Sequence, residues 1–184
     1  MLTGRIKRGA YWSKIPGHTH KAYCTFCKKA TNTDVIETES HMWLECEHSG
    51  QAQAWETTKR IWRKSTDRDW PDISLGLIRG VGALTFEGDY NKDSERLRIL
   101  ISMTIWAIWK SKIKNSINSQ DVAPNETSGV LKGLIADLII KSWNATRFKE
   151  GGRRESQRRD IRKLWSDERL TNFDLKTGPT IDFS

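Results

Sequence analysis

Long apolar runs are missing from this 184-residue chain, and with them any stretch near the roughly 18 apolar residues that a membrane span needs. The most apolar segment, Ile99 to Trp109, is shorter and leads straight into Lys110, Lys112 and Lys114. The N-terminus is basic but is followed by neither an apolar segment nor a small-residue cleavage site, so no secretory signal is read there. Without one, the sequons at Asn125 and Asn144 are read as chance. No Gly-rich phosphate loop, nucleophile elbow or internal repeat occurs. The chain is therefore read as no enzyme, and its expected compartment is nuclear or cytoplasmic.

Acidic residues are absent from Met1 to Ala30, where Arg5, Lys7, Arg8, Lys14, Lys21, Lys28 and Lys29 stand unopposed. A second basic cluster comes late: Arg147, Lys149, Arg153, Arg154, Arg158, Arg159, Arg162 and Lys163 against Glu150, Glu155 and Asp160. The formal charge is +8. Such clusters suit phosphate backbones, though solvated faces that keep a protein soluble have the same composition. Arg153, Arg154, Arg158 and Arg162 are the C-terminal candidates for gripping phosphates. Trp12, Tyr23 and Phe26, interleaved with lysines, are candidates for base stacking, with packing against a metal knuckle the favoured alternative for Phe26.

Apolar residues make up only 36% of the chain and the mean hydropathy is −0.66, which predicts a modest core. Nine tryptophans compensate in part, because each can bury a large area. Helical spacing of apolar residues recurs three times. Ala52, Trp55, Lys59 and Trp62, with Ile61 beside them, mark a helix from about Gln51 to Lys64. Leu97, Leu100, Ile101, Ile105, Ile108, Trp109, Lys112 and Ile113 mark the longest one, about Glu95 to Asn118. Leu131, Leu134, Ile135, Leu138, Ile139 and Trp143 mark another, beginning at Thr127 or Ser128. The last two should pack as an antiparallel pair closed by the first. A basic helix near Arg153 to Trp165 follows Gly151-Gly152. The expected fold is mainly α, a small helical bundle with an N-terminal CCHC-type zinc knuckle. Its parts are a basic segment with the zinc module over 1–50, the bundle over 51–170 and a disordered tail over 171–184.

Cysteine is scarce, and all of it is in one place. Cys24-x2-Cys27, thirteen intervening residues, then His41-x4-Cys46 use every cysteine in the chain. In a reducing compartment this spacing favours a metal over a disulfide. Two cysteines two residues apart bind one ion from a single turn, and a second His/Cys pair completes a tetrahedron. Sulfur-rich tetrahedral ligation points to structural zinc. Lys28 and Lys29 beside the knuckle should ease the holding of thiolates. His18, His20 and His48 are rival ligands, His20 the strongest of them. Residues five apart on an ideal helix point about 140° apart and lie about 7.5 Å apart along its axis. His41 and Cys46 therefore predict a helix end, a widened turn or a 3₁₀ segment between them. The acids around them, Glu37, Glu39, Glu45 and Glu47, are read as solvated.

Tyr11-Trp12-Ser13-Lys14-Ile15-Pro16-Gly17, the Cys24 to Cys27 pair and Glu37-Thr38-x-x-His41-x4-Cys46 resemble the zinc-binding region of non-LTR retrotransposon reverse transcriptases. The fungal type, found next to RNase H-like domains, is the most similar. Trp55, Ile61-Trp62, Trp70-Pro71-Asp72-Ile73-Ser74-Leu75-Gly76 and Ile105-Trp106-Ala107-Ile108-Trp109-Lys110 continue the likeness. The resemblance implies a zinc-stabilised accessory domain that contacts RNA or DNA, with retroelement polymerase or nuclease domains as possible partners. The chain carries no Tyr-x-Asp-Asp polymerase motif and no RNase H carboxylate pattern. A zinc-stabilised scaffold for another protein, or a retroelement relic, is the alternative reading.

Overall fold

Two long helices bury the apolar stripes that their sequences mark out, and a third completes the core. The computed structural model describes residues 9–86, 91–116, 122–165, 170–174 and 177–183 and is mainly helical. Its α-helices are α1 Thr25–Thr31, α2 Gln51–Ser65, α3 Leu75–Gly80, α4 Asn91–Ser116, α5 Pro124–Ala145 and α6 Gly151–Trp165. Short 3₁₀ turns precede α1, and strands β1 Thr171–Asp174 and β2 Gly178–Ile181 close the chain. No described helix is long and apolar enough to cross a membrane.

Leu97, Leu100, Ile101 and Ile108 of α4 and Leu131, Ile135 and Ile139 of α5 are buried in one core, which Ala54, Ile61 and Trp62 of α2 complete. Thr127 of α5 bonds Ser111 of α4 at 3.1 Å, and Lys114 pairs with Glu126 at 2.9 Å. The start of α5 thus lies against the end of α4, as a helical hairpin requires. The start is also earlier than the stripe alone implies. Pro124 suits the first turn, and the Glu126 carboxylate accepts the Ala123 N–H at 3.1 Å. Gly50, at φ +75°, lets α2 begin against that same turn, because a Cβ there would lie 2.2 Å from the Pro124 carbonyl oxygen.

One expectation about packing needs correction. In α2 the buried line runs through Ala54, Thr58, Ile61, Trp62 and Ser65, while Ala52 is exposed and Trp55 and Lys59 are half-buried. The helix is rotated because the Trp55 indole N–H reaches back to the Trp43 carbonyl at 2.7 Å, and Thr58 meets Thr104 of α4 inside the core. Trp106 is 47% exposed and lies stacked on Trp109, with ring centroids 4.8 Å apart.

The expected disordered tail is instead an antiparallel hairpin, with Thr171 opposite Ile181 and Asp174 opposite Gly178. It has an apolar anchor. Leu170 is buried, Phe173 lies 5.2 Å from the Trp143 ring, and the buried Gly178 packs on the same indole. A strand this short gives little periodicity to read, and Trp143 is far away in sequence.

Candidate metal centre

Two local structures deliver the four donors. A single bridge between Tyr23 and Ile36, with Cys24 N–H donating to the Val35 carbonyl at 2.7 Å, turns the chain so that Cys24 opens α1. Cys27 then sits in the first turn of the same helix, and Asn32 ends it in the left-handed conformation at φ 55°. The second pair comes from a π-helical turn, His41–Glu45. There the Cys46 N–H donates to the His41 carbonyl at 2.9 Å, an i→i+5 bond. This is the widened turn that the five-residue spacing demands. Thr38 starts it by accepting the His41 N–H on its hydroxyl at 2.9 Å.

The four side chains converge. Cys24, Cys27, His41 and Cys46 are all buried, and their donor atoms lie within 4.8 Å of one another. Cys24 Sγ is 3.7 Å from Cys46 Sγ, Cys27 Sγ is 3.8 Å from Cys46 Sγ, and Cys27 Sγ is 3.4 Å from His41 Nε2. Ordinary zinc bond lengths give a tetrahedron with edges of about 3.8 Å between sulfurs and about 3.6 Å between sulfur and nitrogen. These three separations fit such edges, and the remaining pairs lie within 4.8 Å, so the four residues could hold one metal ion. His18 and His20 are exposed and His48 is half-buried, and none of the three joins the group.

Without an ion this packing is awkward for the thiols. The hydrogen bond with Cys46, together with burial, pushes Cys24 up to about 12, while Lys112 works the other way. Burial raises Cys27 too, whereas the bond from Cys24 lowers Cys46. A divalent cation would replace these shared protons and satisfy all three sulfurs at once.

The cation nearest the sulfurs is not one the sequence places there. Lys28 pairs with Asp34 at 3.0 Å, and Lys29 donates to the Asn115 side chain at 2.8 Å. Lys112, from the buried side of α4, lies 3.7 Å from Cys24 Sγ and 5.8 Å from the Phe26 ring centroid. It also forms an ion pair with Glu37, which is buried rather than solvated. Glu39 pairs with Arg79, and Glu45 and Glu47 are exposed. Phe26 and Val122 pack with the three cysteines in a small apolar cluster, so Phe26 is knuckle packing and not an open stacking face. One sign of Lys112 was present in the sequence: a lysine on the apolar stripe of a long helix. Glu37 had none, because its partner lies on a different element.

The basic candidates are divided by the fold. Arg5, Lys7 and Arg8 lie outside the described residues. Lys14, Lys21, Lys28, Lys29 and Arg153 are exposed, with Lys21 set over the Trp12 ring at 5.2 Å. Arg154 is turned onto its own chain, donating to the Lys149 carbonyl at 2.8 Å and the Arg147 carbonyl at 3.1 Å. Arg158 donates to Thr146 at 3.1 Å and stacks 4.7 Å above Trp143, which Arg162 also covers at 5.4 Å. Comparisons with protein-family models, with curated proteins and with solved structures find no match.

Proposed function

We propose that the protein is a non-catalytic accessory domain of CCHC type. In this reading a structural zinc ion, held by Cys24, Cys27, His41 and Cys46, fastens a basic N-terminal segment to a helical bundle. The observation that carries it is the buried four-donor cluster, all of it within 4.8 Å, with three separations at the edge lengths of a zinc tetrahedron. Four protein ligands leave no open position for water or substrate, so the ion's work is to hold the fold. Exposed lysines on the N-terminal segment, and the resemblance to the zinc-binding region of retrotransposon reverse transcriptases, support contact with the backbone of RNA or DNA. Metal content by mass spectrometry tests the site. One zinc per chain, lost in Cys46→Ser, is the expected result, and a folded, reduced protein that holds no zinc would sink the reading. A protein-binding scaffold is the second reading, favoured by the exposed indole of Trp106. Self-association insensitive to salt and abolished by Trp106→Ser would select it.

A further inference from the structure

The far end of the molecule from the metal cluster holds a cleft of about 480 Å³. Its walls, among the described residues, are Lys92 from the first turn of α4 and Arg159, Arg162 and Lys163 from the end of α6. No described carboxylate lines it. Asp93, next to Lys92, is turned inward onto Arg68 and Arg96 at 3.1 Å each. Asp160, next to Arg159, is exposed and outside the walls.

This gathering of charge does little for the fold. Arg159 stands three and four residues before Arg162 and Lys163, a spacing that puts like charges side by side on a helix. Arg162 and Lys163 suit the negative end of α6, but Lys92 sits at the positive end of α4 and gains nothing from its helix. Neighbouring cations show the contrast. Arg154 and Arg158 use their donors on carbonyls and a hydroxyl of the chain itself. Arg162 Nε is buried without a hydrogen-bond partner, its guanidinium pinned over Trp143 at 5.4 Å. That stacking fixes the plane of the guanidinium, and a guanidinium fixed in the cleft wall is pre-organised for a phosphate.

We infer that this cleft is the phosphate-binding site of the protein, and that it takes the phosphodiester backbone of a nucleic acid. The inference rests on the nucleic-acid reading above but moves its centre. Lys92, Arg159 and Lys163 replace Arg154 and Arg158 as the contacts, with Arg162 shared between stacking and binding. The two walls come from α4 and α6, so the site exists only in the folded bundle.

The test uses the full zinc-loaded chain and a fluorescein-labelled 20-nucleotide single-stranded RNA, with anisotropy followed across a range of KCl concentrations. Arg159→Gln/Lys163→Gln should weaken binding about tenfold near 0.1 M salt, and flatten the slope of log K against log salt by about 1.4. Lys92→Gln alone, on the opposite wall, should weaken it in the same direction. Arg60→Gln/Lys110→Gln, which removes the same charge at exposed residues that neither line the cleft nor stand among the candidate contacts, serves as the control, and circular dichroism checks that each variant is folded. If the cleft variants and the control lose affinity equally, binding follows net charge and the cleft is refuted while the nucleic-acid reading stands. If the unaltered protein shows no salt-dependent binding, the nucleic-acid reading itself fails and takes the cleft with it.

Discussion

Helix α4 carries a buried cation near its start and a half-buried one near its end, and the two are satisfied in opposite ways. Arg96, 2% exposed, is met by Asp93 at 3.1 Å, by the Leu164 carbonyl at 2.7 Å and by the Ser65 carbonyl. Asp93 in turn accepts from Arg68 at 3.1 Å. That end is complete, with every charge answered by another part of the chain. Lys112, four turns on, faces Glu37 and Cys24 beside two further thiols and an imidazole. That end has more donor atoms for a metal than the protein can satisfy by itself. A buried polar group needs a partner wherever it lies. Here one end finds its partners within the chain, and the other has the geometry to take one from solution.

The comparison can be broken most sharply at the metal end. Cys24→Ser or His41→Ala should release zinc and unfold residues up to about Cys46, because metal binding to such sites is itself folding free energy, about 10 kcal/mol or more for structural zinc. Trypsin should then cut rapidly at Lys14, Lys21 and Lys28 while the core from α2 to α5 resists. Loss of all helical signal would refute a module that is separable from the bundle. A chelator added to the unaltered protein should reproduce the pattern.

At the other end, Arg96→Met should cost about 3 kcal/mol, since it leaves Asp93 with one of its two cations and the buried Ser65 and Leu164 carbonyls without their donor. Thermal unfolding would read this as a large fall in Tm with zinc stoichiometry unchanged. If zinc is lost as well, the two ends of α4 are coupled and the contrast between them fails.

A smaller effect is expected from Lys112→Met. Groups that orient and neutralise metal ligands typically alter affinity about 10–100-fold when removed. Competition of Co²⁺ against a chelator, followed by the thiolate charge-transfer band, would measure it, and Lys112→Arg should restore part of the loss. An unchanged affinity would show that Lys112 serves only its pair with Glu37.

The gentlest probe is pH. Cys24 and Cys27 are raised above their ordinary values, so both thiols carry protons at neutral pH when no metal is bound. Metal must displace those protons, and lowering the pH therefore weakens binding, by up to about tenfold per unit for each proton released. Zinc retention should fall steadily with acidification and improve as the pH rises. The Arg96 end contains no thiol and should show no such dependence over the same range. Retention independent of pH between 6 and 8 would contradict thiolate ligation.

Much of this was open to a reader of the sequence. Cys24, Cys27, His41 and Cys46 share a spacing that only a common ligand explains economically, and the five-residue gap from His41 to Cys46 called for the widened turn that occurs. The stripes of α4 and α5 predicted their pairing, because 3.6-residue periodicity is a local property of the chain. The rotation of α2 was not legible, since it depends on Trp55 finding the Trp43 carbonyl. Nor was the burial of Glu37, which looks like its solvated neighbours until Lys112 is brought to it. The basic residues near the C-terminus read as one cluster in sequence, yet the fold assigns Arg154 and Arg158 to internal bonds and leaves Arg159 and Lys163 in a cleft.

By itself the sequence determined the helices, the four residues of the candidate metal centre and the excess of positive charge. Each of those follows from residue type and spacing within a short window of chain. Only the tertiary structure decided which lysine faces the sulfurs, which arginines are consumed by the fold, and that the last residues form a hairpin on Trp143. Those outcomes depend on partners tens of residues away, and a charge or an indole carries no record in its own neighbourhood of the group it will meet.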